Sequence, residues 1–449
     1  MFRKKLTDKK IKAVHDKAID APDSDKALEI LSPLIEAQAS NDLAADALID
    51  IVKRGTLTIE QSLDVLYDIY ESHKHNDDIV IMIGNVMETA RDIDFLNDAP
   101  PEAPLFSEVI TRLSEIASTT TDPEKEALVV ESLSSTARLM ARQYDEIAEK
   151  NYARLVELLP DTAWAHYNQG LFFKTRGRFA EGVKANQKAM ALAKEPSESH
   201  QWNLGICATG ARQGEVALDI WKEIGQKIEL GRFDLPEGGY PSCKVRLAER
   251  PLSQRDAEND DAGLEETIWI ERLSPCHGII RSVLYQDLGV DYGDVILFDG
   301  APITYHKYGD QQIAVFPHLA TIQNNNYQFF DFAGTQSAQG ELGELSSDLE
   351  KDSVVYSHTE NYTNLCSTCW RDEDIDHEHK DTEEKHVVIG RIAVPPDIQA
   401  KDILDAIDNA LKDKPENRIF SPDLCRAAGL DDRAKIEERR YSLLCETVE

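Results

Sequence analysis

Two cysteines separated by two residues, Cys366 and Cys369, are the sharpest chemical signal in the sequence. Two thiolates at this spacing can bind one metal ion from a single turn, and His377 and His379 follow shortly after them. Together the four side chains could complete a tetrahedral site of two sulfur and two nitrogen ligands. The spacing therefore predicts a structural zinc site at these four residues, with His386 as a further candidate ligand.

The same cysteine pair allows two other interpretations. A Cys-x-x-Cys motif can act as a reversible dithiol, because the motif lowers a thiol pKa and sustains exchange chemistry. Trp370 follows the pair, however, whereas in thioredoxins the tryptophan comes first. The third interpretation gives the cysteines no shared role and makes residues 371–386, with eight acidic and three basic side chains, a solvated acidic loop.

Cys276 and His277 are the second chemical candidate, because a cysteine beside a histidine can be an activated nucleophile. Neighbours on a strand point to opposite faces, so the base for Cys276 would have to come from elsewhere in the fold. Alternatively, Cys276 or His277 supplies a distant ligand to the zinc site. A plain structural turn is the simplest interpretation, and the sequence favours it.

Glycines and aromatic residues recur in the first half of the chain at the spacing of a helical repeat. Trp164 and Gly170 belong to one unit, and Trp202 and Gly205 belong to the next, with the two glycines 35 residues apart. Helix–turn–helix repeats have a period of about 34 residues, and their small residues let paired helices approach closely. The stretch over 129–230 resembles the tetratricopeptide-repeat (TPR) family.

The TPR resemblance implies a concave surface that holds an extended peptide or a partner helix. By analogy with the family, six polar residues are candidates for contact with that ligand: His166, Asn168, Gln169, Lys174, His200 and Asn203. The alternative is that each of them is an ordinary solvated position. Neither interpretation assigns a catalytic residue to the repeats.

The elements that must position these residues follow from patterning along the chain. Apolar residues recur at helical spacing in the first half, and short β-branched and aromatic runs between turn residues follow in the second. We expect a multidomain protein of class α and α+β: an N-terminal α-helical repeat superhelix (TPR-like) over 1–240, a linker over 241–263, a β-rich mixed domain over 264–412 and a charged helical tail over 413–449.

Composition restricts the classes of partner. The formal net charge of −33 repels phosphate backbones, so nucleic acid is not expected as a partner. The sequence has no apolar run near the roughly 20 residues of a membrane span and no signal-peptide core, which indicates a cytoplasmic protein without membrane contact. Seven cysteines, an odd number scattered along the chain, disfavour a disulfide framework.

These observations favour a protein that binds a protein or peptide through a TPR-like groove and carries a structural zinc in its second half. The alternative is a metal-dependent or thiol-dependent enzyme with its active site around Cys366, Cys369 and the Cys276-His277 pair. The sequence contains no phosphate-binding glycine loop, no Gly-x-Ser-x-Gly elbow and no His-Glu-x-x-His motif. The binding module is therefore preferred over the enzyme.

Overall fold

The chain divides into two units, which we describe from a computed structural model. The structure describes residues 6–87, 104–140, 142–308, 311–361 and 387–446. The first unit comprises Met1–Gln226 and Leu252–Ala262, and the second comprises Lys227–Pro251 and Gly263–Glu449. The order of elements, helices first and a β-rich mixed part second, is the predicted fold class.

The first unit consists of successive helices joined by short connections, which make sequence neighbours antiparallel. Each helix packs against the next one along the chain. In addition, α1 contacts α3, α3 contacts α5, α5 contacts α7 and α9 contacts α11, so that helix pairs stack on one another. The helices are α1 (Asp8–Ile19), α2 (Ser24–Gln38), α3 (Asp42–Lys53), α4 (Ile59–His73), α5 (Asp77–Gly84), α6 (Pro104–Thr119), α7 (Pro123–Leu139), α8 (Asp145–Leu158), α9 (Ala163–Thr175), α10 (Phe179–Leu192), α11 (Glu198–Gly210) and α12 (Gly214–Glu223).

Local capping residues begin two of these helices. Thr58 and Gln61 form a capping box at the start of α4, in which each side chain accepts a hydrogen bond from the other residue's backbone N–H. At the start of α7, the Asp122 carboxylate accepts a hydrogen bond from the backbone N–H of Glu124, and Pro123 occupies the first turn. Both motifs satisfy backbone donors that would otherwise lack partners.

The repeat glycines lie where paired helices come closest. A methyl group on Gly205 of α11 would lie 2.5 Å from the indole of Trp221 on α12, and one on Gly170 of α9 would overlap Asn186 on α10. Trp221 is fully buried, and its ring packs edge-on against Trp202 with centroids 5.1 Å apart. The glycine positions of the repeat pattern therefore allow the close helix pairing that the sequence predicts.

Residues 252–262 belong to the first unit, although the residues on both sides of them belong to the second. The guanidinium of Arg142 donates hydrogen bonds to the backbone oxygen of Leu252 at 2.6 Å and to that of Thr175 at 3.3 Å. The Asp260 carboxylate accepts a hydrogen bond from the backbone N–H of Arg142. Residues 252–262 are therefore held by specific contacts rather than forming the loose connection that their composition predicts.

The second unit contains two sheets and a group of helices. Its elements are β1 (Glu229–Leu230), β2 (Pro236–Glu237), β3 (Cys243–Ala248), β4 (Glu265–Arg272), β5 (His277–Ile280), β6 (Val295–Phe298), β7 (Thr304–Tyr308), β8 (Gln311–Gln323), β9 (Gln328–Thr335), α13 (Glu341–Glu344), β10 (Val354–Ser357), α14 (His358–Asn361), β11 (Val387–Val394), α15 (Ala400–Leu411), β12 (Arg418–Phe420), α16 (Pro422–Ala427) and α17 (Asp431–Cys445). The short pair β1 and β2 forms a separate antiparallel ribbon.

Five strands of the second unit close into a ring. Antiparallel pairs run from β3 through β4, β5 and β6 to β8, and β3 pairs with β8 in parallel, while β7 pairs with the first half of β8. Alternate residues of these strands, among them Val245, Ile270 and Phe298, form a buried cluster. Over Lys244–Arg246, β3 is hydrogen-bonded on both edges, to β4 on one side and to β8 on the other. Pairing on both edges protects this part of the strand from association with other chains.

The second sheet has the strand order β10, β11, β9, β12 and is covered by helices. Its core joins Phe332 and Ile392 on the strands to Ile403 on α15 and Leu424 on α16. Helix α17 contacts both β9 and β12. None of the helices in the described ranges combines the length and apolar character needed to cross a membrane.

Three predicted boundaries need correction. Residues 243–248, within the predicted linker 241–263, form the buried strand β3, because Val245 and Leu247 face the core while Lys244 and Arg246 alternate with them. Residues 413–449, predicted as a separate tail, contain a strand of the second sheet, and Leu424 lies in the core of the second unit. The N-terminal stretch of the first unit also ends at Gln226 rather than near residue 240.

Candidate functional site

A groove of about 860 Å³ lies between three consecutive helices of the first unit. Helix α7 supplies its apolar floor through Val130 and Leu133, which are both almost fully buried. Ala117 of α6 and Ile147 and Ala153 of α8 extend the apolar surface along the sides. A concave surface of this size with an apolar floor is typical of binding sites in proteins.

Charged residues from α7 and α8 form the rim of the groove. The Arg154 guanidinium on α8 donates hydrogen bonds to the Glu126 carboxylate on α7 at 2.7 and 3.1 Å, and a further one to Glu157 at 3.1 Å. These bonds hold the pKa of the Glu126 carboxyl below its ordinary value of 4.5. Glu146 and Lys150 also line the groove, so three carboxylates face two cations.

Three of the six residues that the TPR resemblance placed on a ligand-facing surface are buried. His166, Lys174 and Asn203 are exposed by 8%, 7% and 3%. The Nε2 atom of His166 lies 2.9 Å from the backbone oxygen of Pro160, and Asn203 donates a hydrogen bond to Asn186 at 2.9 Å. For these three side chains the expected open position does not hold, because they pack within the folded chain.

The other three of the six residues keep part of their surface exposed. Asn168 and Gln169 on α9 and His200 on α11 are half-buried. The imidazole of His200 stacks near the ring of Tyr167 with centroids 4.7 Å apart, and burial lowers the pKa of this histidine. None of the six predicted residues is among those lining the groove between α6, α7 and α8.

The groove-lining residues lie upstream of the repeat units with the clearest glycine and tryptophan signals. A sequence signal for them does exist in α8, where Glu146, Lys150, Arg154 and Glu157 recur at intervals of three or four residues and so lie along one face of the helix. Such a charged stripe beside an apolar one is common on solvated helices. The packing of α6 against α7 was needed to show that this stripe borders a cavity.

Comparisons with known proteins return distant structural similarities. No family model matches the chain, and no curated protein matches it in sequence. A crystal structure of MamA is 16% identical, with a TM-score of 0.28 over 40% of this chain and 88% of that one. For a MamA fragment from Desulfovibrio magneticus RS-1 the identity is 15% and the TM-score 0.28, over 42% and 93% of the chains. PilF of Pseudomonas aeruginosa is 14% identical, with a TM-score of 0.31 over 48% and 91%. Similarity this low leaves function to be argued from the chain's own residues.

Cys276 and His277 lie in a buried turn at the start of β5. Both residues are 0% exposed. The Ser274 hydroxyl accepts hydrogen bonds from the backbone N–H groups of Cys276 and His277 and lies 2.5 Å from Nδ1 of the imidazole. Burial lowers the pKa of His277 to about 4. The arrangement is the structural turn that the sequence favours, and it gives a substrate no access to the thiol.

The predicted zinc ligands Cys366, Cys369, His377, His379 and His386 all lie outside the described residues. Within the described ranges, no group of three or more His, Cys, Asp or Glu side chains is arranged to hold a metal ion. Among the described residues, Cys207, Cys243, Cys276 and Cys425 are buried cysteines outside any disulfide, and Cys445 is a partly exposed one. Zinc binding therefore remains a prediction from sequence spacing.

Proposed function

We propose that the first unit is a docking module that holds a segment of a partner protein in the groove between α6, α7 and α8. The observation that carries this proposal is a concave surface of about 860 Å³ whose accessible apolar lining comes from Ala117, Ile147 and Ala153, above the buried Val130 and Leu133. Apolar side chains of a partner can replace water on this accessible lining, which supplies a driving force of about 25 cal/mol per Å² of apolar area buried. Grooves between helices commonly receive an amphipathic helix in this way.

The charge of the groove indicates a basic partner segment. Glu126, Glu146 and Glu157 outnumber Lys150 and Arg154 along the rim, and the whole chain carries a formal net charge of −33. Positively charged flanks on the partner would be attracted over roughly 8 Å at physiological ionic strength, and this attraction raises the association rate. The preferred occupant is an amphipathic helix with leucine-like side chains on one face and lysine or arginine on its flanks.

The half-buried residues of α9 and α11 extend the proposed surface. Asn168, Gln169 and His200 are half-buried residues on consecutive first helices of the TPR-like pairs. We assign them a secondary role, in which they contact the partner beyond the groove. The stacking of α9, α10 and α11 supports this role, since it holds the two first helices in one array.

Filling the groove tests the proposal. The probe is a fluorescent amphipathic peptide of lysine and leucine, and its glutamate and leucine counterpart serves as the charge control. Ala153 is an exposed groove residue, so Ala153→Trp should weaken binding of the lysine peptide at least tenfold without unfolding the protein. Ala180→Trp on α10 is the matched control at an exposed alanine that does not line the groove, and it should bind as the parent does.

Three results would contradict the docking proposal. Both peptides could bind equally, which would remove the role of charge. Ala153→Trp and Ala180→Trp could also behave alike, which would place the peptide elsewhere. Finally, the lysine peptide could fail to bind the parent protein in a fluorescence anisotropy titration at low salt.

We further propose a structural zinc ion bound by Cys366, Cys369, His377 and His379. The spacing of the two cysteines and the two nearby histidines supports this proposal. Elemental analysis of the purified protein should find one zinc per chain, and Cys366→Ser and Cys369→Ser should each remove it. Cys445→Ser, at the partly exposed cysteine of α17, is the control and should retain the metal. Equal metal content in all variants would exclude these ligands.

A thiol-dependent enzyme centred on Cys276 receives less support than the binding module. Its sulfur is fully buried and lies 3.8 Å from the Ser274 hydroxyl, in a turn that holds the neighbouring imidazole. A catalytic role for the Cys366 and Cys369 pair is the remaining form of the enzyme alternative. Elemental analysis separates a zinc site from a reversible dithiol at Cys366 and Cys369, because the dithiol would bind no stoichiometric metal. The dithiol would also be alkylated only after reduction of the protein.

A further inference from the structure

A second concave site lies in the β-rich unit. A cavity of about 580 Å³ opens between the loop that joins β5 to β6, the turn before β9, and strands β9 and β11. Its walls include Tyr285, Asp287, Asp291, Tyr327, Asp331 and Arg391. The volume lies within the range of about 300–1,000 Å³ that small-ligand sites occupy.

Arg391 is the one cationic side chain among the described residues that line the cavity, and it contacts the protein's own groups. The Arg391 guanidinium donates hydrogen bonds to the Asp291 carboxylate at 2.8 Å and to the backbone oxygen of Leu284 at 3.1 Å. It also stacks over the ring of Phe329 at 4.4 Å from the centroid. Asp291 and Asp331, the latter 3.5 Å from Nε, offset the positive charge of Arg391, so the cavity favours a cationic over an anionic ligand.

Two carboxylates of the cavity remain accessible. Asp287 is exposed, and its hydrogen bond in the described structure is a long one of 3.3 Å from the backbone N–H of Gly289. The side chain of Asp331 is 59% exposed and lies 3.5 Å from Nε of Arg391. Both carboxylate oxygens of Asp294, by contrast, accept hydrogen bonds from backbone N–H groups, those of Asp291 and Asn325. Asp287 and Asp331 are therefore the carboxylates that a bound cation can reach.

Aromatic rings complete the walls of the cavity. Tyr285 is 62% exposed, and Tyr327 packs edge-on against Tyr292 with centroids 5.3 Å apart, which fixes its ring. Faces of tyrosine rings attract organic cations, by about 0.5–1 kcal/mol at exposed sites. No set of three or more acidic, histidine or cysteine side chains in the described ranges is arranged around a single metal position. Carboxylates that share no metal position, together with aromatic walls, suit an organic cation better than a metal ion.

From this geometry we infer that the cavity binds an alkylammonium cation, whose positive charge is attracted by the carboxylates of Asp287 and Asp331 and by the rings of Tyr285 and Tyr327. A free polyamine and a lysine side chain of a peptide both carry this chemistry. The site belongs to the second unit and makes no use of the helical groove, so it stands independently of the docking proposal.

Calorimetric titration of the full chain tests the inference with two probes, spermidine and N-acetyl-lysine methylamide. Saturable binding of either probe is expected. Asp287→Asn and Asp331→Asn should each raise its Kd about threefold to fivefold, and Tyr285→Ala about twofold to fivefold. Binding of both probes indicates that one ammonium group suffices, whereas binding of spermidine alone indicates a free polyamine as the ligand.

The controls separate a built site from attraction to an acidic surface. Asp413→Asn removes one exposed carboxylate of the same unit outside the cavity and should leave the Kd unchanged. If Asp413→Asn weakens binding as much as Asp287→Asn does, the probe merely responds to the overall negative charge and the site is overturned. The absence of saturable binding of both probes overturns it as well. Thermal melting of each variant shows that the fold is retained, which is expected because Asp287, Asp331 and Tyr285 are exposed.

Discussion

Arg154 on α8 donates two hydrogen bonds to the Glu126 carboxylate on α7, and both side chains line the groove. The pair ties together the two helices that form the floor and one side of the proposed docking site. It also gives the helical unit a pH-dependent contribution to stability. The bonds to Arg154 are the largest cause of the lowered pKa of Glu126.

This pKa shift has a defined sign. A carboxyl whose pKa is lowered in the folded state contributes stability above its ordinary pKa of 4.5, and this contribution disappears as the pH falls through the folded pKa. We therefore expect Glu126→Gln to lower the melting temperature at pH 7, and the difference from the parent to shrink below pH 4.5. Melting curves of both proteins recorded from pH 7 to below pH 4.5 check this expected change in the melting-temperature difference. A difference that stays constant with pH would show that the charge of Glu126 is not the cause.

Substitution of a repeat glycine should destabilise the first unit. In Gly205→Ala the added methyl group would lie 2.5 Å from the buried indole of Trp221, so either the ring or the helix must move. Overpacking of this kind costs about 1–3 kcal/mol. Gly343→Ala in α13 is the matched control, because a methyl group there has no neighbour within 4 Å and replaces a flexible residue. Denaturant titrations should show the loss in the first variant only.

Removal of the Arg142 side chain should release residues 252–262 from the first unit. The guanidinium is buried, which lowers its pKa to about 10, and it donates hydrogen bonds to the backbone oxygens of Leu252 and Thr175. Arg142→Ala leaves these acceptors without that donor, a change that costs about 1–3 kcal/mol for a buried group. Limited trypsin digestion should then cleave after Arg255, which is 7% exposed in the parent. Lys12→Ala, at an exposed position of α1, should leave this peptide bond protected.

Acidification below pH 6.5 should destabilise the second unit through His318. This imidazole is fully buried on β8, and burial lowers its pKa from 6.5 to about 4. The unfolded chain takes up the proton first as the pH falls, so stability is lost between pH 6.5 and 4, by up to about 3 kcal/mol for this one group. His318→Asn should reduce the dependence of unfolding free energy on pH in this window. His75→Asn, at an exposed histidine, should not, and equal slopes for the two variants would contradict the assignment.

Many elements were predictable because their signals are local. The capping residues Thr58 and Asp122 act on backbone groups two or three residues away, so their sequence context was sufficient. The β-branched run from Val387 to Val394 is typical of a strand, and the structure has β11 there. The spacing of Ile403, Leu404 and Ile407 is typical of an amphipathic helix, and they lie on α15.

The strand β3 was missed for a physical reason. Lys244 and Arg246 give the segment a polar composition, and prolines and glycines flank it, so it resembles a connection. The strand forms because β4 pairs with one of its edges and β8 with the other, which buries Val245 and Leu247. In the sequence, β8 begins more than sixty residues after β3, and a local pattern carries no information about this pairing.

The linear order of residues was enough to establish a helical first half with close-packed repeat pairs and a β-rich second half, because glycine spacing and hydrophobic periodicity act over short distances. Folding was needed to bring Arg142 to Leu252, to enclose β3 and to assemble the groove from three helices. It also buried His166 and Asn203, which the TPR resemblance had placed on a ligand-facing surface. Burial depends on what the rest of the chain packs against a side chain, and this is a property of the whole fold.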